Sequence, residues 1–566
     1  MSRTVFSVQV LLENHWVVET EVGTEDEAMK LANGLVNANQ HEGVRVIREW
    51  HRGDGGVSDR EIFSKLLTGK AKKITVSAID QANPCSSPND LFSLESRLTI
   101  GRLLRKLFDD MVLTPTELLH HYPIAKKFLD GDLLPAAVDR VATLQAAEVG
   151  VDSRTRRDQI YAMVDVLAAQ AREAEAERAL WKVKIDDVDT LIKTATSVGG
   201  VEKRDFLIRT ALCRELVGIR SWIGKIDRLV QIVNDDTSPD MMVIMDGFIA
   251  DVLAAPEATQ ELLGNHPNLA VALKALLGLV YGTKEGAGKN LPETTVILAR
   301  LFAEGKLPSG TEVITDRVRR QIHGPAALSR NNPDEEDNLF IQIFASLLTE
   351  DGIIGGPPMA ESLVMRFSRK FDVGTTDATR GAIFGLAELV QQRAQRSRFL
   401  LLVAESETGR SFGEEIGRHI LEMANKAPDI HNFVHYRETP LRKLTIITSL
   451  MRRALASTAV PAAVVQDIVK RFDHMLVEYI DREKLVEKLD DPSHPFRARA
   501  LRLVKFCGSG VLIEGEALEV MRQRVVELLR RPRFVEEFTQ GMRDADEANR
   551  SVRDFRQLLV QSGFSA

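Results

Sequence analysis

A chain of 566 residues is too long for one hydrophobic core, and roughly 150 residues per domain points to about three or four compact units. Its 44% hydrophobic and 27% charged residues exclude a disordered or fibrous protein, while 6% aromatic content favours helix packing over a β-sandwich. A net charge of −7 argues against a polyanion binder acting through its whole surface.

The N-terminus alternates, with Phe6, Val8, Val10 and Leu12 on one face and Ser7, Gln9 and Leu11 on the other, which predicts a half-buried strand over 5–12. Glu13, Asn14 and His15 suit a turn into a second strand over 16–22. Thr24 and Glu27 then form a capping box ahead of Ala28, Leu31, Ala32, Leu35 and Val36, the apolar stripe of an amphipathic helix. A third strand follows over 44–50. A second box, Ser58 with Glu61, predicts a short helix to 67, and Ile74, Val76 and Ala78 read as a last strand. The expected unit is a small α/β (ββαβ) domain over 1–80. Such sheets bind partners or ligands through an open face or edge, which makes Trp16, Arg45, Arg48, Trp50 and His51 the candidate binding residues. The competing expectation is that the tryptophans fill the sheet face and the arginines are solvated.

QANPCSSPND at 81–90, with two prolines among small polar residues, reads as a linker. Beyond it one pattern recurs: a cap, an amphipathic stretch, a Gly or Pro stop. Thr114-Pro115-Thr116-Glu117 supplies an N-cap, a proline at the first helical position and a capping-box glutamate. Ser238-Pro239, Asn332-Pro333 and Thr439-Pro440 repeat the device, and Ser411 with Glu414 makes another box. Long helices are predicted over 153–182, 202–234, 377–398 and 461–488. No solenoid period recurs, so the body is expected to be an irregular multi-helix bundle, and the fold mainly α. Helical domains are expected over 91–235 and 236–459, with a C-terminal helical unit over 460–566.

The chemical motifs are weak. Cys85, Cys213 and Cys507 lie far apart without a CxxC pair, so neither a disulfide framework nor a cysteine zinc site is expected, and Cys213 and Cys507 read as core residues. Gly282 to Asn290 resembles a phosphate loop only loosely. Its glycine spacing is one residue too long, and Asn290 stands where a Ser or Thr would hold magnesium. His431 and His435 are four apart and would share a helix face able to hold a metal, with Asp429 a conceivable third ligand. Asn432, however, stands where a metalloprotease has its glutamate base. His120 and His121 are adjacent and diverge on a helix. No nucleophile elbow, kinase loop or dinucleotide fingerprint is present, and no motif implies a cofactor.

Arg497, Arg499, Arg502 and Lys505, then Arg530, Arg531 and Arg533, make the C-terminus locally basic and able to meet phosphates. Interleaved glutamates and scarce aromatics favour an ion-paired solvated face, so nucleic-acid binding is not expected. The first residues show no basic segment followed by an apolar one, so no signal peptide is expected, and the longest apolar runs are too short for a membrane span. The resulting expectation is a cytoplasmic, non-catalytic interaction, scaffold or regulatory protein with a protein partner. Two alternatives are an enzyme assisted by metal at His431 and His435, and a nucleic-acid binder using the basic C-terminal helices.

Overall fold

The computed structural model describes residues 3–12, 15–38, 41, 43–51, 57–66, 75–283, 293–330, 332–371 and 374–564. It is mainly α, with a small four-stranded antiparallel sheet at the N-terminus. The chain divides into two compact units. One comprises Met1–Pro84, Arg102–Met111 and Lys126–Val164; the other comprises Cys85–Gly101, Val112–Ala125 and Asp165–Ala566.

In the first unit, β1 (Arg3–Leu12) pairs with β2 (His15–Val22), helix α1 (Glu25–Ala38) follows, and β3 (Gly43–His51) returns beside β1. Thr24 directly precedes α1, as its capping position predicts. The sheet order is β2-β1-β3-β4, and here one expectation is corrected. The segment expected to be a helix from Ser58 is the strand β4 (Val57–Leu66), antiparallel to β3. A capping box is a local signal only. Pairing satisfies the backbone groups along the free edge of β3 and brings Ile62 and Phe63 onto the domain core, which outweighs it. Val76 and Ala78 form no strand, and Ile74 lies outside the described residues; Ser77 N donates instead to Leu103 O at 2.8 Å.

One face of the sheet buries Phe6, Val8, Val10, Val44 and Val46 against Ala28 and Ala32 of α1. Further along the unit, helix Leu133–Val149 holds the segment after the sheet. Arg140 Nε donates to Ile79 O at 3.1 Å and Gln145 Nε2 to Asn83 O at 2.5 Å.

The second unit is a helical body with one continuous apolar core. Its predicted start devices at Thr114, Ser238 and Thr439 are formed, each side chain accepting from a first-turn amide. The box at Ser411 is not: its hydroxyl donates to Thr408 O, and the helix begins at Gly413 without a side-chain cap. The long helices are shorter than predicted. The stretch 202–234 is broken at Ser221, which caps a new helix, Trp222–Ile232, by accepting from Gly224 N. Upstream, helix Val188–Leu216 is kinked at Gly200, whose φ of 65° suits glycine. The predicted helix 377–398 is likewise two, Thr376–Leu389 and Arg393–Ala404.

Near the centre of this body lies helix Pro239–Leu253. Every residue from Met241 to Leu253 except Val243 is buried, including Asp246 and Asp251. An ionised carboxylate is stable there only when its oxygens are fully engaged, and that requirement organises the site.

Candidate functional site: a cavity held by a buried polar network

Asp251 meets two partners far away in sequence. Its Oδ1 accepts from Arg97 Nε at 2.8 Å, and its Oδ2 accepts from Thr116 N at 3.0 Å and Thr116 Oγ1 at 2.6 Å. Both partners pass the constraint on. Arg97 Nη1 donates to Phe92 O at 2.6 Å, fixing the turn that carries the Phe92 ring. Thr116 O accepts from His120 Nδ1 at 2.9 Å and from the Cys213 thiol at 3.6 Å. One carboxylate thus sets the positions of two rings.

A second buried pair lies beside the first. Glu117 accepts from Thr114 N at 2.7 Å, completing its capping box, while its other oxygen meets Lys225 Nζ. Both side chains are fully buried. Burial pushes Glu117 upward against the opposing pull of Lys225, and pushes Lys225 downward against that of Glu117.

His120, Phe92 and Phe206 form a three-ring cluster. His120 lies 5.0 Å from Phe92 and 4.7 Å from Phe206 between ring centroids, and the two phenylalanines meet edge-on at 5.8 Å. Together they line a cavity of about 330 Å³, at the small end of the roughly 300–1,000 Å³ usual for ligand sites. Arg209 lines it too, with Gly199 of the kinked helix. Burial, then the positive charges of Arg209 and Arg97, push His120 down to about 3. Its ring is therefore neutral, with the proton on Nδ1 and Nε2 unprotonated. Burial also pushes the Cys213 thiol well up, which removes it as a thiolate nucleophile near neutral pH.

The residues singled out in the N-terminal domain do not share a face. Gln9 pairs with Arg45 across β1 and β3, whereas Phe6 pairs with Arg48 and Thr4 with Trp50, so alternation separates Arg45 from Arg48 and Trp50. Arg45 Nε donates to Gln9 Oε1 at 2.8 Å, its guanidinium lies 4.5 Å from the Trp16 ring, and Glu61 is 3.8 Å away. Val5, Ser7, Gln9 and Ile47 on that face are themselves buried. Arg48 lies 6.0 Å from the Phe6 ring, and Trp50 is 43% exposed. His51 ends β3; its side chain lies outside the description.

His431 and His435 do not lie on one helix. The first belongs to a 3-10 turn, Ile430–Asn432, capped by Asp429. His431 Nδ1 faces the ammonium of buried Lys443 at 3.1 Å, which also donates to Tyr436 O at 3.0 Å. His435 Nδ1 accepts from Arg437 N at 3.3 Å, and Asp429 is taken by Arg482 at 2.5 Å. Among the described residues no group of three or more His, Cys, Asp or Glu could hold a metal ion. Of the phosphate-loop segment, 284–290 lies outside the described residues.

The basic C-terminal residues are largely engaged. Arg499 and Arg524 both pair with buried Asp490, at 2.6 and 2.5 Å. Arg531 pairs with Glu537 at 3.4 Å and Arg533 with Glu536 at 3.7 Å. Arg497 lies 5.8 Å from the Phe538 ring, and Arg502 Nε donates to Ala498 O in its own helix. Lys505 and Arg530 remain on the same helical unit, where Phe534 stacks on Phe538 and Phe555 meets both at a tilt.

Sequence patterns missed the cavity because its lining is scattered from Asn89 to Arg209 and the network behind it reaches Asp251. The capping box at Thr114, the pair His120-His121 and Cys213 as a core residue were the local signals in this region. Among the described residues no helix is long and apolar enough to cross a membrane. Comparison with family models, curated proteins and solved structures finds no match to this chain.

Proposed function

We propose that this protein acts by binding rather than catalysis, and that the cavity bounded by Phe92, His120 and Phe206 is a ligand site in its helical body. The observation that supports this reading is the state of the groups around the cavity. His120 is held neutral far below neutral pH, Cys213 is held as a thiol, and Asp251 is engaged by Arg97 and Thr116. General acid–base work needs a group that titrates near the working pH, and nucleophilic work needs an activated one. A preformed, partly apolar cavity with fixed polar groups is suited to recognition instead. Within the same proposal the N-terminal domain and the helical surfaces meet a protein partner, making this an interaction or regulatory protein.

A fragment screen by thermal shift tests the cavity, using wild type and Gln170→Trp, in which a large side chain is introduced at the cavity wall. The expected result is a set of fragments that stabilise wild type, leave the variant unmoved and are recovered unchanged by mass spectrometry. Fragments that stabilise both proteins equally, or that are converted to products, would overturn the proposal.

A further inference from the structure

Arg209 stands out among the charged groups of this region. It is half-buried, it lines the cavity, and among the described residues it makes no hydrogen bond or ion pair. Its neighbour is another cation. The guanidiniums of Arg209 and Arg97 converge on Gly247, lying 3.4 and 3.5 Å from where a side chain there would begin. The nearby buried carboxylate, Asp251, is already engaged by Arg97 and by both donors of Thr116. Asp205, four residues before Arg209, also lines the cavity and attracts Arg209 through space, but its direct partner is Arg204 at 2.8 Å. A guanidinium has five donors in a planar fork, and leaving it unsatisfied beside a like charge in a half-buried setting is destabilising. Residues that lower the stability of the empty protein are commonly those that function requires.

We infer that Arg209 anchors the anionic group of a small ligand, a monocarboxylate carrying an aromatic or apolar body that packs on Phe92 and Phe206. This rests on reading the cavity as a ligand site. The carboxylate would take the bidentate geometry that guanidinium offers and would give Arg209 the direct ion pair it lacks, Arg97 being already paired with Asp251. A single negative charge is favoured over a phosphate dianion by the other charges of the lining. Glu173 is paired with Lys203 at 3.2 Å, but the carboxylates of Glu177 and Glu202 make no ion pair among the described residues and oppose further negative charge. Burial, followed by the charge of Arg97, lowers the Arg209 pKa against the opposing pull of Asp205 and Asp251.

The test is calorimetric titration of the full chain with four probes of one shape: phenylacetate, phenyl phosphate, benzylamine and benzyl alcohol. The variants are Arg209→Gln, Arg209→Lys and the blocked Gln170→Trp. Phenylacetate is expected to bind wild type at millimolar affinity or tighter, roughly tenfold more weakly to Arg209→Gln, with partial recovery in Arg209→Lys. Without ligand, Arg209→Gln is expected to melt at a higher temperature than wild type, because a repulsion is removed. That readout also shows that the variant is folded. Equal binding of benzyl alcohol, or preference for benzylamine or phenyl phosphate, would overturn the monocarboxylate assignment while leaving the cavity a ligand site. Binding of phenylacetate unchanged in Arg209→Gln but lost in Gln170→Trp would remove Arg209 as the anchor. No binding by any probe, together with no effect of Gln170→Trp in the fragment screen, would overturn both.

Discussion

Arg97 and Asp251 are separated by 154 positions in the chain and meet at 2.8 Å in the interior, where neither has appreciable contact with solvent. Their pairing is the junction from which Phe92 and His120 are both held. Replacing Asp251 by Asn keeps the shape and removes the charge, leaving the Arg97 guanidinium buried and uncompensated. The expected loss is about 3–5 kcal/mol of unfolding free energy, measured by urea denaturation. Arg97→Met combined with Asp251→Asn is expected to lose less than the two single losses added together. Additive losses would mean that the pair is not coupled.

His120 gives a pH signature. Its pKa is lowered from 6.5 to about 3 in the folded protein, so between those values the unfolded chain binds a proton that the native state does not. Stability therefore falls as pH drops through this window, by about 1.4 kcal/mol per pH unit from this group alone. Other groups titrate there as well, so the useful quantity is the difference in slope between wild type and His120→Gln. A shallower slope in the variant is expected below the ordinary histidine pKa; identical slopes would show that His120 is not held neutral.

Helix Pro308–His323 begins without a side-chain cap from its own neighbours. Its first amides are met from the core: Ser309 N donates to Asp246 Oδ2 at 2.8 Å and Gly310 N to Asp246 Oδ1 at 2.9 Å. Asp246→Ala strands both donors and is expected to cost about 1–3 kcal/mol, with Asp246→Asn intermediate. Hydrogen exchange at Ser309 and Gly310 should accelerate in Asp246→Ala before that of the remainder of the helix. Unchanged protection would mean that another acceptor takes over.

A similar remote cap acts on helix Glu516–Leu529. Asp473 accepts from Glu516 N at 2.5 Å and Ala517 N at 3.2 Å, and a methyl group at Gly515 would collide with its carboxylate. Gly515→Ala must therefore displace the capping group, and a loss of about 1–2 kcal/mol is expected in thermal or urea unfolding. A variant as stable as wild type would show that the cap tolerates the shift.

Local signals were the legible ones. The start devices at Thr114, Ser238 and Thr439 follow from spacing alone, because each closes within a few residues. Alternation places Phe6, Val8 and Val10 on the face that meets α1, but Ser7 and Gln9 opposite are buried as well, and of the expected α1 stripe Ala28 and Ala32 are buried while Leu31 is 41% exposed. β4 was hidden because its identity depends on pairing with β3, which a four-residue box cannot register. The grouping of Arg45 with Arg48 could have been avoided, since residues three apart in a strand face opposite ways. In the site, Thr114 and Glu117 were readable as a cap, but nothing in their spacing pointed to Lys225, 108 positions beyond Glu117. Likewise Asp251 looks in sequence like one acidic residue in an apolar helix. Its meaning depends on which distant donors the fold brings to it.

The most direct test of the cavity as a ligand site anchored by Arg209 is a phenylacetate titration followed on the His120 ring by carbon-13 NMR of histidine-labelled protein. A saturable shift of the His120 resonance in wild type, absent in Arg209→Gln at the same concentrations, is the predicted result. A His120 resonance that stays fixed while wild type binds phenylacetate, or that moves equally in Arg209→Gln, would contradict it.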